Sequence, residues 1–127
     1  MISRNPHKRQ MNKFIWPLSK AVANWQQYSF RLAIKAKKNR DYIGSASVDY
    51  LMYSGYIVMA YMWAQMAQSA YEKLATDVEN RDFYRAKIKT AEFYFEKMLP
   101  RTKSLAATMM ADPKTLMQLD EELLSFL

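Results

Sequence analysis

Between Asp49 and Glu72 the chain runs twenty-two residues without a charge, YLMYSGYIVMAYMWAQMAQSAY. A stretch of that length can cross a bilayer, and it can equally form the central helix of a helical bundle. Its content separates the two. Spanning helices are rich in Leu, Ile, Val and Phe, with Trp and Tyr gathered at their ends. Here Tyr50, Tyr53, Tyr56, Tyr61 and Tyr71 are scattered along the run, with Ser54, Gln65, Gln68 and Ser69 among them. The best nineteen-residue window has a mean hydropathy of only about 0.6, short of a spanning segment. No transmembrane span is expected. The run reads instead as a buried helix, apolar on every side between Leu51 and Ala67 and covered by neighbours all round. Gly55 in its middle costs about 1 kcal/mol relative to Ala and so marks a close helix crossing, which Ala60, Ala64 and Ala67 extend. Gly55→Leu is then expected to overpack the crossing.

Two glycines and four prolines in 127 residues leave little material for tight β-turns, while Ala, Met, Leu, Lys, Gln and Glu dominate. The fold class is all-α. The first thirteen residues, MISRNPHKRQMNK, lack apolar periodicity and read as a basic flexible arm, with a single helical-bundle domain over residues 14–127. Order begins near Phe14, and Pro17 suits a first helical turn, where its missing N–H costs nothing. Ala21, Val22, Trp25, Tyr28, Leu32 and Ala36 then recur at spacings of three and four, one helical face. The second helix starts within Asp41–Ser47, with Asp41, Ser45 and Ser47 as candidate caps, and reaches about Ala75. The third runs from Val78 or Asn80 to Leu99 on a stripe of Tyr84, Ile88, Ala91, Phe95 and Met98, resumed at Thr102, Leu105, Ala106 and Met109. Pro100 breaks the hydrogen-bond ladder, so this helix is kinked there. Asp112 and Pro113 cap a short last helix over Lys114–Phe126, with Leu116, Leu119, Leu123 and Leu124 inward. The architecture is an antiparallel bundle of three long helices, the third kinked at Pro100, plus a short C-terminal helix.

Charge is unevenly placed. Residues 1–40 carry ten Lys or Arg and no acid, whereas residues 41–127 are net negative. The first helix nevertheless spends its aromatics on the apolar face, leaving none beside the exposed lysines, so no nucleic-acid partner is expected.

Chemistry is sparse. There is no cysteine, and His7 is the only histidine, so neither a thiolate or His-based metal site nor a Ser-His-Asp triad can be assembled. Glu92 and Glu96 lie one turn apart, but as a solvated face; Asp49 reads as a cap or an ion-pair partner. No phosphate-cradling glycine loop exists. No catalytic, cofactor-binding or metal-ligating residue is assigned, and the chain is not expected to be an enzyme. With no signal h-region near Phe14-Ile15-Trp16, the expected location is cytoplasmic.

Two segments carry a resemblance. One is Gly44-Ser45-Ala46-Ser47-Val48-Asp49-Tyr50-Leu51-Met52-Tyr53-Ser54-Gly55, followed by Met62-Trp63-Ala64-Gln65-Met66-Ala67. The other is Phe83-Tyr84-Arg85-Ala86-Lys87, followed by Glu92-Phe93-Tyr94-Phe95-Glu96-Lys97-Met98-Leu99-Pro100-Arg101-Thr102. Together they resemble the extra C-terminal domain of acyl-CoA dehydrogenases of the 3-methylmercaptopropionyl-CoA dehydrogenase type, over about residues 14–127. The resemblance implies an all-helical accessory domain packed against the body of an FAD-dependent enzyme of fatty acid metabolism. In such enzymes a carboxylate base and the flavin, both in upstream domains, oxidise acyl-CoA thioesters across the α,β bond. None of those residues maps onto this chain. The implied function is therefore that of a structural and interaction domain without cofactor of its own, its partner a dehydrogenase body or a second copy. The alternative is a stand-alone helical module docking on a protein partner or an anionic polymer.

Overall fold

The computed structural model describes residues 8–111, together with Leu123 and Phe126. These residues are all-helical, with no strand among them. α1 spans Lys8–Lys38, α2 Asp41–Leu74 and α3 Arg81–Phe93. A π-helical turn, Tyr94–Met98, follows, and α4 spans Arg101–Met109.

α1 begins well inside the segment that composition assigns to the arm. Met11 is 3% exposed and Phe14 1%, both packed with Ala64 and Ala67 of α2 and Ala91 of α3. Phe14 also meets Phe95 edge-on, with ring centroids 5.2 Å apart. Burial of two large apolar side chains, each worth about 1.5–3 kcal/mol, outweighs the polarity of their neighbours. Pro17 consequently lies inside the helix rather than at its first turn. Its exposed position keeps the ring clear of the core.

Only Asn39 and Arg40 separate α1 from α2. None of the expected caps acts: Arg40 holds the N-cap position without a side-chain bond, and Asn39 Oδ1 accepts the Asp41 N–H at 3.0 Å. From this link the two helices pair residue by residue. Ser29 meets Tyr50 (Oγ to hydroxyl, 2.7 Å), and the Trp25 indole N–H donates to Ser54 Oγ at 3.0 Å. Partner numbers fall along α1 as they rise along α2. Tyr50, Tyr53 and Ser54 of the uncharged run are thus used in contacts with α1.

The main core joins Ala46, Tyr53, Ile57 and Ala60 of α2 to Tyr94, Leu99, Ala106 and Met109. Ala60, Ala64 and Ala67 are buried, as their spacing predicts. Gly55 is not at a crossing. It is exposed, and a Cβ built on it would meet nothing within 4 Å. The close approach uses the alanines on the opposite side of the helix, so overpacking at Gly55 is not expected.

α3 ends six residues earlier than the periodicity suggests. Pro100 has no N–H to give the preceding turn, and its ring crowds the carbonyl four residues back. The backbone widens ahead of it: the Leu99 N–H reaches the Tyr94 carbonyl, five residues back, at 2.9 Å. Tyr94 is buried three residues after Ala91, and the extra residue in the turn makes Leu99, five residues on, the next buried position in place of Met98. Beyond Pro100, Thr102, Ala106 and Met109 are buried, in line with the resumed stripe. The short last helix over Lys114–Phe126 lies outside the described residues except at Leu123 and Phe126. Leu123, expected inward, is exposed.

Candidate docking surface

α2 is covered on two sides, by α1 on one and by α3, the π-turn and α4 on the other. Among the described residues these elements leave the remaining side of α2 uncovered. Val48, Leu51, Met52, Val58, Met59 and Met62 are all exposed, Leu51 by 72%. They recur at spacings of three and four, with Gly55 among them, and so form one continuous face. The expectation of neighbours all round is therefore corrected: among the described residues, Val48 and the charge-free run after it present an apolar stripe about four turns long to the outside.

At Met62 the stripe runs into a groove of about 340 Å3 between α2 and α3. Met66 and Ala70 form one wall, Phe83 and Tyr84 the other, and Lys87 stands at the rim with its Nζ 5.1 Å from the Phe83 ring centre. Phe83 is itself exposed. Apolar patches of this extent on a soluble surface mark contact with something else. Methionines, flexible and polarisable, suit a surface that must conform to a partner.

The acidic residues singled out by spacing do not form a site. Glu92 is not on a solvated face: Lys13 of α1 and Lys89, the latter at 3.3 Å, both pair with it. The Lys13 bond holds the Glu92 carboxyl below its ordinary range, against a smaller opposing effect of burial. Burial pulls the Lys13 ammonium down, but its bonds to Glu92 and Tyr71 more than offset this, so its net shift is upward. The pair is a clamp between the start of α1 and α3, and sequence spacing could not reveal it because its partners stand 79 residues apart. Glu96 is exposed. Asp49 is half-buried and forms no ion pair among the described residues, neither capping nor pairing as expected. No group of three His, Cys, Asp or Glu side chains comes together among the described residues.

α1 departs from expectation as well. Its inner face carries Trp25 and Tyr28 as predicted, but Trp16 and Phe30 point outward among exposed cations. Both fall on the far side of the helix from Trp25, at positions that an apolar stripe drawn from Ala21 to Ala36 leaves out.

No helix among the described residues is long and apolar enough to cross a membrane. In comparisons with known proteins, the family model for the acetyl-CoA dehydrogenase C-terminal-like domain matches residues 2–120. No curated protein and no solved structure matches the chain.

Proposed function

Because the chain belongs to the acetyl-CoA dehydrogenase C-terminal-like family, we propose that it is a structural accessory domain, without catalysis of its own, that docks on an acyl-CoA dehydrogenase body. The uncovered α2 stripe carries this reading. An apolar row from Val48 to Met62, continued by the Met66–Phe83 groove, is what a helical domain retains for a large apolar partner. The subtype is that of the 3-methylmercaptopropionyl-CoA dehydrogenases, and the helices form an antiparallel bundle kinked at Pro100 within one domain. The expected location is cytoplasmic, beside the flavoenzymes of fatty acid metabolism.

FAD belongs to the dehydrogenase body in this reading. The residues described here do not fit it. Both glycines lie within α2, where their N–H groups serve the helix, and no loop among the described residues offers the backbone cradle that a pyrophosphate needs. The apolar groove is open to one side and carries one cation at its rim.

Co-expression with an acyl-CoA dehydrogenase body tests the proposal. The two should co-elute, and the pair Leu51→Lys and Met59→Lys should abolish co-elution while leaving the chain folded. The isolated chain should lack flavin absorbance. Stoichiometric FAD with acyl-CoA oxidation by the chain alone would overturn the reading, and so would co-elution unaffected by the double substitution. Self-association through the same stripe is the second reading, favoured by its lack of any repelling charge; it predicts a dimer that the same two substitutions dissociate.

A further inference from the structure

The outward face of α1 has no role in the docking just described. Relative to Trp25 at the inner face, successive residues turn by about 100°. Arg9, Trp16, Lys20, Phe30, Arg31, Ile34 and Lys38 are among the residues that then fall within about 60° of the outermost line. Trp16 is 74% exposed, Phe30 68% and Ile34 41%, a deployment of aromatic and aliphatic side chains that the bundle does not use. Arg9, Lys20, Arg31 and Lys38 are exposed beside them and form no ion pair among the described residues. No acid occurs anywhere in residues 1–40, so nothing on this helix weakens the field of its cations.

We propose that this face lays α1 flat on an anionic lipid bilayer surface, its cations on the headgroups and Trp16, Phe30 and Ile34 inserted at the headgroup–acyl boundary. The helix is 31 residues long, a rod of about 45 Å, and Trp16 and Ile34 lie about 27 Å apart along it. Such a line of apolar points flanked by Lys and Arg suits a planar surface that is negative outside and apolar just beneath. Charge complementarity alone would also admit a nucleic acid. The spacing disfavours one: Trp16 and Phe30 are separated by about 21 Å along the helix, with aliphatic Ala23 between them, whereas stacking platforms place aromatics where successive bases can reach. An acidic protein would use the cations but has no need of a solvent-facing Trp. Anchoring is peripheral and reversible. The inference is independent of docking through α2, which uses a different helix.

Vesicle binding by the purified full chain tests it. Vesicles of phosphatidylcholine containing about one-third phosphatidylglycerol should sediment the protein at low salt, high salt should release it, and phosphatidylcholine alone should not bind it. Trp16 is exposed whereas Trp25 and Trp63 are partly buried, so insertion of Trp16 should shift the tryptophan emission to the blue. Lys20→Glu with Arg31→Glu should weaken partitioning tenfold or more. Trp16→Ser with Phe30→Ser should weaken it several-fold and remove the emission shift. All four side chains are exposed, so both double variants should melt like the parent, and melting is measured alongside. Absence of binding to the anionic vesicles at low salt would overturn the proposal, as would equal binding to neutral ones. Salt-sensitive binding with no emission shift and no effect of Trp16→Ser with Phe30→Ser would also overturn it, pointing to a polyanion or an acidic protein instead.

Discussion

The Tyr94 hydroxyl, on the π-turn, donates to the backbone carbonyl of Tyr56 on α2 at 2.7 Å. It joins the widened turn ahead of Pro100 to the centre of the longest helix. Burial, with the nearby Tyr56 as a smaller cause, pushes the Tyr94 phenol up to about 12. The group stays neutral in the folded state where the unfolded chain would ionise it. Its contribution to stability is thus complete below pH 10 and lost as pH rises from 10 through about 12.

Tyr94→Phe should therefore lower stability by about 1 kcal/mol at neutral pH, the net worth of one internal hydrogen bond. It should also make the alkaline limb of a stability–pH profile shallower. Urea unfolding at pH 7 and pH 11 checks both; equal losses at the two values would show that the phenol does not titrate between them.

The Lys13–Glu92 clamp acts at the other end of the pH scale. The Glu92 carboxyl is depressed, so its stabilisation is present above the unfolded value near 4.5 and disappears as pH falls through the lower folded one. Glu92→Gln should cost about 0.5–1 kcal/mol at pH 7, modest because Lys13 is close to half exposed and the pair is screened. The acid limb of its melting profile should be flatter than the parent's. A parallel profile would mean that other carboxylates govern acid unfolding.

Gly55 gives a prediction with the opposite sign to the one its sequence position suggests. In an exposed helix interior with open space around it, Gly55→Ala should stabilise the isolated chain by about 0.5–1 kcal/mol. Thermal melting decides the sign. If Gly55 instead received a partner's side chain in a complex, the stabilised variant would dock more weakly, which the co-elution experiment would register.

Met11→Ala and Phe14→Ala measure whether the start of α1 belongs to the core. Both should destabilise, by about 2–3 kcal/mol for Met11 and about 3–5 kcal/mol for Phe14. An arm residue would give a change near zero, so denaturant melts of Met11→Ala alone distinguish the two.

How far the sequence could carry the fold is seen at these same residues. The second helix was legible almost to its ends, because thirty-four residues without a proline leave no other choice. The inward sets on α1 and α4 were legible too, since α-helical spacing persists there. Met11 was passed over although it stands three residues before Phe14 and seven before Leu18, because the polar and charged residues around it outweigh a single apolar one; Ala64, Ala67 and Ala91 give it its place. Leu99 lay off the expected stripe because the π-turn changes the period after Tyr94. The docking surface was half legible: the uncharged run stood out, but an apolar stretch reads alike whether its covering belongs to the same chain or to another. Trp16 and Phe30 overturn the expectation that the first helix spends its aromatics on its apolar face, since the 100° step puts both opposite Trp25.

The two-residue link at Asn39–Arg40 also orders events in time. Loop closure costs least between near neighbours, and contacts local in sequence form fastest. Ser29 and Tyr50 stand 21 residues apart, Trp25 and Ser54 29, and Lys13 and Glu92 79. The helical pair accordingly zips outward from the link. Met11 and Phe14 close last and open first, so amide hydrogens near Lys13 should exchange with solvent well before those near Trp25. Of the two ends of α1, the one held by two apolar side chains and one ion pair is then the end expected to fray.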